Sequence, residues 1–214
     1  MRLLIVIALA AAFVIAFVAI MMRSGCVVLT RHKESYGTVE IVTDECQEGL
    51  PHTSGPYTIR MTQTDWAGPR RNDILKHEKV HLDQKQHPDR WLSFYRREWG
   101  YELSMRPPPN LPAEIIRMLR PNPDTLDGAW AIWHGRYVFF PMYKNSQKQL
   151  RGAKAAVWDM LDRRIIDPPE QWKAMFCDAH GCPYQMEHPH EMAAEYITEG
   201  SRSPAALKLF DWKH

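Results

Sequence analysis

From Leu3 to Met22 the chain runs for 20 residues without a charge. Twenty helical residues reach about 30 Å, the thickness of a bilayer's hydrocarbon core. The whole chain nevertheless has a mean hydropathy of −0.43, so everything outside this run is distinctly polar. A cleaved export signal is the competing reading. Such signals carry about 7–15 apolar residues followed by a small-x-small cleavage site. Here the run is longer and ends Met21-Met22-Arg23. Arg23 also stands where a lipoprotein signal ahead of Cys26 would want an aliphatic residue. The expected organisation is a membrane anchor over residues 1–28 and one folded domain over 29–214.

Topology is less constrained. Arg2 precedes the run, while Arg23, Arg31 and Lys33 follow it, so the positive-inside count does not choose a side. All four cysteines lie beyond the run in two local pairs, Cys26/Cys46 and Cys177/Cys182. Two disulfides would suit an oxidising compartment; four buried thiols are the alternative. The pairing favours a single-pass protein whose soluble part faces away from the cytoplasm. The formal net charge of +2 speaks against a nucleic-acid partner, which calls for a strong basic excess. No glycine-rich phosphate loop points to a nucleotide cofactor.

Residues 23–35 read as a polar stretch beside the membrane. Tyr36 to Val42 and Tyr57 to Thr64 have strand character, and a turn-rich linker joins them. A helix is predicted from Asn72 to Gln86, with Asn72 or Asp73 as its cap. Pro88 forces a break near His87, and a second helix is expected from Pro88 to Ser104. Trp130 to Met142 reads as strand or hairpin. The spacing of Leu150, Val157, Leu161 and Ile165 suggests a helix from Ser146 to Ile165. Short helices are expected after Pro168-Pro169 up to Phe176, from Glu191 to Thr198, and in the tail after Ser203. The fold class is therefore α+β, a small sheet packed on the Asn72–Gln86 helix with further helices around it.

Chemistry concentrates in His77-Glu78-Lys79-Val80-His81. On a helix, the i, i+4 spacing stacks both imidazoles on one face, where they can hold one zinc ion at about 2.0–2.1 Å. Glu78 lies beside the first ligand, positioned to take a proton from a water that the ion activates. Ile74 shares the histidine stripe, and Leu75 and Leu82 form an apolar stripe next to it. Zinc needs a third protein ligand. One candidate is Glu191, in His188-Pro189-His190-Glu191, with Glu195 one turn further on to hold a ligand imidazole. The other is His87, six residues after His81. That spacing occurs in the H-E-x-x-H-x-x-G-x-x-H pattern, but Gln84 stands in place of its glycine, which makes the required turn costly. Glu191 is preferred.

These two stretches, roughly residues 72–87 and 188–198, resemble the zincin metallopeptidases. More narrowly they resemble the gluzincins and their compact minigluzincin members, which combine an H-E-x-x-H helix with a downstream Glu helix, often E-x-x-x-D. The counterpart here is Glu191-Met192-Ala193-Ala194-Glu195, with Glu at the last position. The resemblance implies a Zn²⁺-dependent hydrolase of peptide bonds with His77, His81 and Glu191 as metal ligands and Glu78 as general base. A Tyr or His to steady the oxyanion is also implied, for which Tyr196, His134 and Tyr137 are the candidates. A strand along the substrate, as zincins use, would fall to Tyr57–Thr64.

A second cluster, Cys177, His180, Cys182, His188 and His190, admits three readings: a disulfide, free thiols, or a structural zinc site. A different functional class is also open, a membrane-tethered binding or assembly protein with an inactive or structural zincin core. The intact Glu78, which a structural site would not need, favours the enzyme.

Overall fold

The computed structural model describes residues 26–125, 130–144 and 153–213. Of the anchor predicted over residues 1–28, residues 1–25, with the apolar run Leu3–Met22, lie outside the described residues. Among the described residues no helix is long and apolar enough to cross a membrane.

The chain opens with a hairpin, β1 (Val28–Glu34) and β2 (Gly37–Val42). Residues 28–34, read from the sequence as part of a polar stretch beside the membrane, thus form an edge strand. Their charges are compatible with it because they sit on a solvated face. Arg31 Nε donates to Glu40 Oε1 at 2.8 Å, and Arg60 Nε donates to Glu40 Oε2 at 2.9 Å. Charged side chains on an edge also discourage pairing with other chains. β4 (Thr58–Thr62) lies parallel to β2, and the two-residue β3 (His52–Thr53) pairs antiparallel on its far side. The register sets Val39 beside Ile59 and Ile41 beside Met61. These four buried side chains pack with Leu82 against a long helix.

That helix, α2 (Arg71–Gln86), follows the short α1 (Gln63–Ala67). It starts one residue before the predicted cap, with no side chain capping it. It stops at His87, ahead of Pro88, as proline requires. α3 (Pro88–Phe94) is shorter than expected. A single π turn, Tyr95–Trp99, closes it, and Gly100 at φ 72° reverses the chain. A Cβ at Gly100 would lie 2.6 Å from the His134 ring, so glycine is required both for its backbone angle and for space. The predicted end of that helix is instead β5 (Tyr101–Ser104).

β5 opens a second sheet of five antiparallel strands, with α4 (Ala113–Met118) in the connection that follows it. β6 (Trp130–Trp133) and β7 (Tyr137–Met142) form a hairpin, one of the two readings the sequence allowed there. β8 (Lys154–Asp159) and β9 (Arg164–Ile166) replace the predicted helix over Ser146–Ile165. Part of that prediction, residues 146–152, lies outside the described residues. The helical stripe misleads because β8 is covered on both faces, so no polar alternation marks it. Val157 faces the main core, and Ala156 and Trp158 face a second cluster with Leu111 and Ile115. Leu161 and Ile165, assigned to the stripe, are exposed.

α5 (Glu170–Phe176), α6 (Pro189–Glu199) and α7 (Pro204–Lys213) complete the chain. Together with α3 and the π turn they bury Trp91, Phe94, Tyr95, Trp99, Trp172 and Phe176 against the second sheet. The fold class is α+β as expected, but with two sheets rather than one. Disulfides join Cys26 to Cys46 and Cys177 to Cys182, which fits an oxidising, extracytoplasmic or secreted setting.

Candidate metal centre

Among the described residues α2 and α6 make the most extensive helix–helix contact. Ala193 and Ala194 are fully buried in the core beneath α6, so small side chains let the helices approach. Pro189 occupies the first position of α6, and the His188 ring accepts from the His190 N–H to cap it. Glu191 therefore falls in the first turn, where the helix dipole favours an anion.

The packing brings three ligand atoms together. His77 Nε2 and His81 Nε2 are 3.1 Å apart, and each lies 3.3 Å from Glu191 Oε2. Atoms about 2.0–2.1 Å from a tetrahedral zinc stand about 3.3–3.4 Å from one another, so the donor set and its spacing both fit such an ion. The side chains of His81 and Glu191 are 1% and 3% exposed, and that of His77 is 20% exposed, which leaves the site open on one side. Among the described residues this is the one group of three or more His, Cys, Asp or Glu side chains able to share a metal.

Hydrogen bonds settle how His81 is presented. Gln84 Nε2 donates to the His190 carbonyl at 3.0 Å and to Tyr95 Oη at 3.1 Å. A carbonyl can only accept, so the amide's orientation is fixed and its Oε1 is the atom 2.7 Å from His81 Nδ1. Nδ1 is thereby the donor, and Nε2 is left to face the ligand cluster. Burial disfavours the His81 cation, but Glu191 and then Asp124 outweigh it and hold its pKa up to about 10. Burial likewise works against the Glu191 carboxylate, yet His81 and His77 hold it well below the usual range. Proton and metal compete for the same atoms.

Glu78 is 4% exposed and its Oε2 has no hydrogen-bond partner. Burial, and then the Asp124 carboxylate, push its pKa well above the usual carboxylate range. A nearby divalent cation reverses that pressure. Glu78 lines a cleft of about 550 Å³ together with His77, His81 and Glu191. Leu50 and Pro51 form part of one wall, and Tyr184 and Gln185 part of another.

Glu195 does not hold an imidazole. Its two oxygens accept from the Tyr184 and Gln185 N–H groups, pinning the loop at the cleft rim, and Gln84 does the work foreseen for it. His87 is not in the cluster. Its side chain is 52% exposed, and its Nδ1 lies 3.0 Å from Asp83 Oδ1, one turn back. Without a glycine after His81, α2 continues through Gln86 and carries His87 away. Of the oxyanion candidates, Tyr196 is buried and donates to the Phe176 carbonyl. His134 and Tyr137 flank the β6–β7 turn. None of the three lines the cleft, whereas Tyr184, 90% exposed, stands at its rim. The Cys177–Cys182 disulfide removes the thiolates a second zinc site would need. β4 is internal to its sheet, so Tyr57–Thr64 offers no free edge to a substrate; the edge on that side of the sheet is β3.

Sequence reasoning missed the loop from Arg120 to Thr125. Asn122 Nδ2 donates to Glu191 Oε1 at 2.7 Å. Asp124 Oδ1 accepts from the Thr53 N–H at 3.0 Å, from the Thr53 hydroxyl, and from Lys85 Nζ at 3.1 Å. Nothing local to this proline-rich turn announces contacts with residues about 70 positions away in either direction. Comparison of the chain with protein-family models, curated proteins and solved structures returns no match.

Proposed function

We propose that the protein is a zinc-dependent peptidase of the zincin type, held at a membrane by its Leu3–Met22 segment with the domain on the extracytoplasmic side. One observation carries the reading. Three ligand atoms converge at zinc spacing beside a buried carboxylate that has a free oxygen and opens onto a cleft.

His77, His81 and Glu191 would hold the ion, which when bound supplies Lewis acidity and a more acidic water. Glu78 then accepts a proton from the attacking water at Oε2 and passes it to the leaving amine. Gln84 keeps His81 in the ligating tautomer. Asn122 keeps Glu191 turned towards the histidines. The outward backbone groups of β3 are already engaged, Thr53 N–H by Asp124 and Thr53 C=O by Lys85, and Pro51 has no N–H to offer. The substrate is therefore gripped by side chains of the cleft walls rather than by pairing along the sheet edge. A tethered binding protein with a structural metal would give the unpartnered Glu78 oxygen no task.

The test is metal content and hydrolysis of a broad peptide library by the full chain in detergent. About one zinc per chain, with hydrolysis lost in Glu78→Gln while zinc is kept, supports the peptidase. Zinc without any wild-type hydrolysis supports the binding protein, and a folded protein that takes no zinc ends both.

A further inference from the structure

We propose that Asn122 is a positioning residue that restricts Glu191 to a single ligand oxygen and so sets the coordination number, and with it the choice of metal. The inference rests on the metal-centre reading of the same site and goes beyond it.

A carboxylate can offer a metal one oxygen or two. Glu191 Oε2 faces the two imidazoles, while Oε1 accepts from Asn122 Nδ2 at 2.7 Å. For Glu191 to bind through both oxygens, Oε1 must be shared between the ion and this part-buried hydrogen bond, which weakens one or the other. The amide cannot simply be reversed, because Asn122 Oδ1 accepts from the Asp124 N–H at 3.0 Å. The carbonyl oxygen of the amide is thereby assigned, and the nitrogen must face Glu191.

Asp124 is itself anchored to Lys85, one turn beyond His81 on the same helix that carries both imidazoles. α2 thus supplies two ligands directly and aims the third through Lys85, Asp124 and Asn122. The connection closes into a ring, so the loop and the two helices hold the donor atoms as one unit. Two imidazoles and one carboxylate oxygen leave a four- or five-coordinate centre, which suits zinc or cobalt. Magnesium and manganese favour six, mostly oxygen, ligands and would gain from the second carboxylate oxygen. A neutral amide fits this task. It donates a hydrogen bond without adding positive charge that would weaken metal binding.

Cobalt(II) reports coordination number through its visible absorption, independently of turnover. The full chain in detergent is loaded with cobalt as wild type, Asn122→Asp and Asn122→Ala, and zinc is competed against manganese in each. Asn122→Asp keeps the oxygen that accepts from Asp124 but puts an anionic oxygen in the donor's place, so Asn122→Ala, which adds neither charge nor ligand, decides between the outcomes. Thermal melts of the chelated proteins check the fold. The expected result is intense four- or five-coordinate bands in wild type and weaker bands, those of an ion with one more ligand, in the variants. The preference for zinc over manganese should fall by about 10- to 100-fold, the usual weight of an outer partner. Variants that keep the wild-type spectrum and preference overturn this inference and leave the metal centre standing. A wild type that binds no cobalt overturns both.

Discussion

Glu78 and Asp159 are carboxylates of nearly equal burial, 4% and 2% exposed, in opposite circumstances. Asp159 closes the turn between β8 and β9. It accepts from Arg136 Nη2 at 2.6 Å, from Arg136 Nε, and from the Leu161 and Asp162 N–H groups. Those bonds, Arg136 first, outweigh its burial and hold its pKa down to about 2. Glu78 has an oxygen with no partner and sits near Asp124 and Glu191. Burial and then Glu191 also push Glu187 nearby up to about 7. A buried carboxylate with every lone pair occupied is architecture. A crowd of buried carboxylates short of cations costs stability, and a fold retains such a crowd where a cation or a proton transfer gives it use.

Breaking the crowded side should have the largest effect. Glu191→Ala, which removes a ligand, should abolish zinc retention through gel filtration, with a loss beyond the roughly 10- to 100-fold expected for outer partners. Glu195→Ala should retain zinc, since Glu195 serves the Tyr184 loop. Metal content by mass spectrometry separates the two. Next, Glu78→Gln should lower turnover by about 10²–10⁴-fold at unchanged zinc content. In chelated protein near neutral pH the same change should raise the melting temperature, because a carboxyl whose pKa is pushed up on folding must take up a proton or be buried charged, and an amide does neither. About 2–4 °C per kcal/mol is the scale for a chain of this size. Gln84→Ala should weaken zinc by about 10- to 100-fold, read by competition with a chelating dye.

On the satisfied side the sign reverses. Asp159→Asn should destabilise by about 1.5–3 kcal/mol, the weight of a hydrogen bond to a charged group, seen as a lower denaturation midpoint. Its pH dependence follows from linkage. The folded pKa lies below the unfolded value of about 3.9, so the contribution is complete above pH 4 and fades as pH falls towards 2. Wild type should therefore lose stability over that window, and Asp159→Asn should lose less. Equal acid sensitivity would mean that Asp159 is not the satisfied partner the comparison takes it for.

How much of this was legible beforehand depends on range. The pairing of His77 with His81 is a property of one helix. With 3.6 residues per turn, four positions apart means one face, whatever the rest of the chain does. Helix α6, the β character of Trp130–Met142 and the two cysteine pairs were equally readable, because turn residues, caps and short separations are local signals. The preference for Glu191 over His87 also had a local basis, since a helix without glycine after His81 carries His87 onwards and outwards. β8 was misread because burial on both faces erases the alternation that marks a strand, and β9, three residues long and largely exposed, carries no pattern of its own.

The supports of the site were out of reach for a different reason. Gln84 looked like a missing glycine until the His190 carbonyl, 106 positions on, showed which way its amide faces. Asn122 and Asp124 looked like turn residues between prolines. Their contacts with Glu191, Thr53 and Lys85 exist because two helices and a sheet edge converge there. Residue type and spacing determine which side chains can ligate; the packing of α2 on α6, and the loop hydrogen-bonded to both, decides which atoms meet.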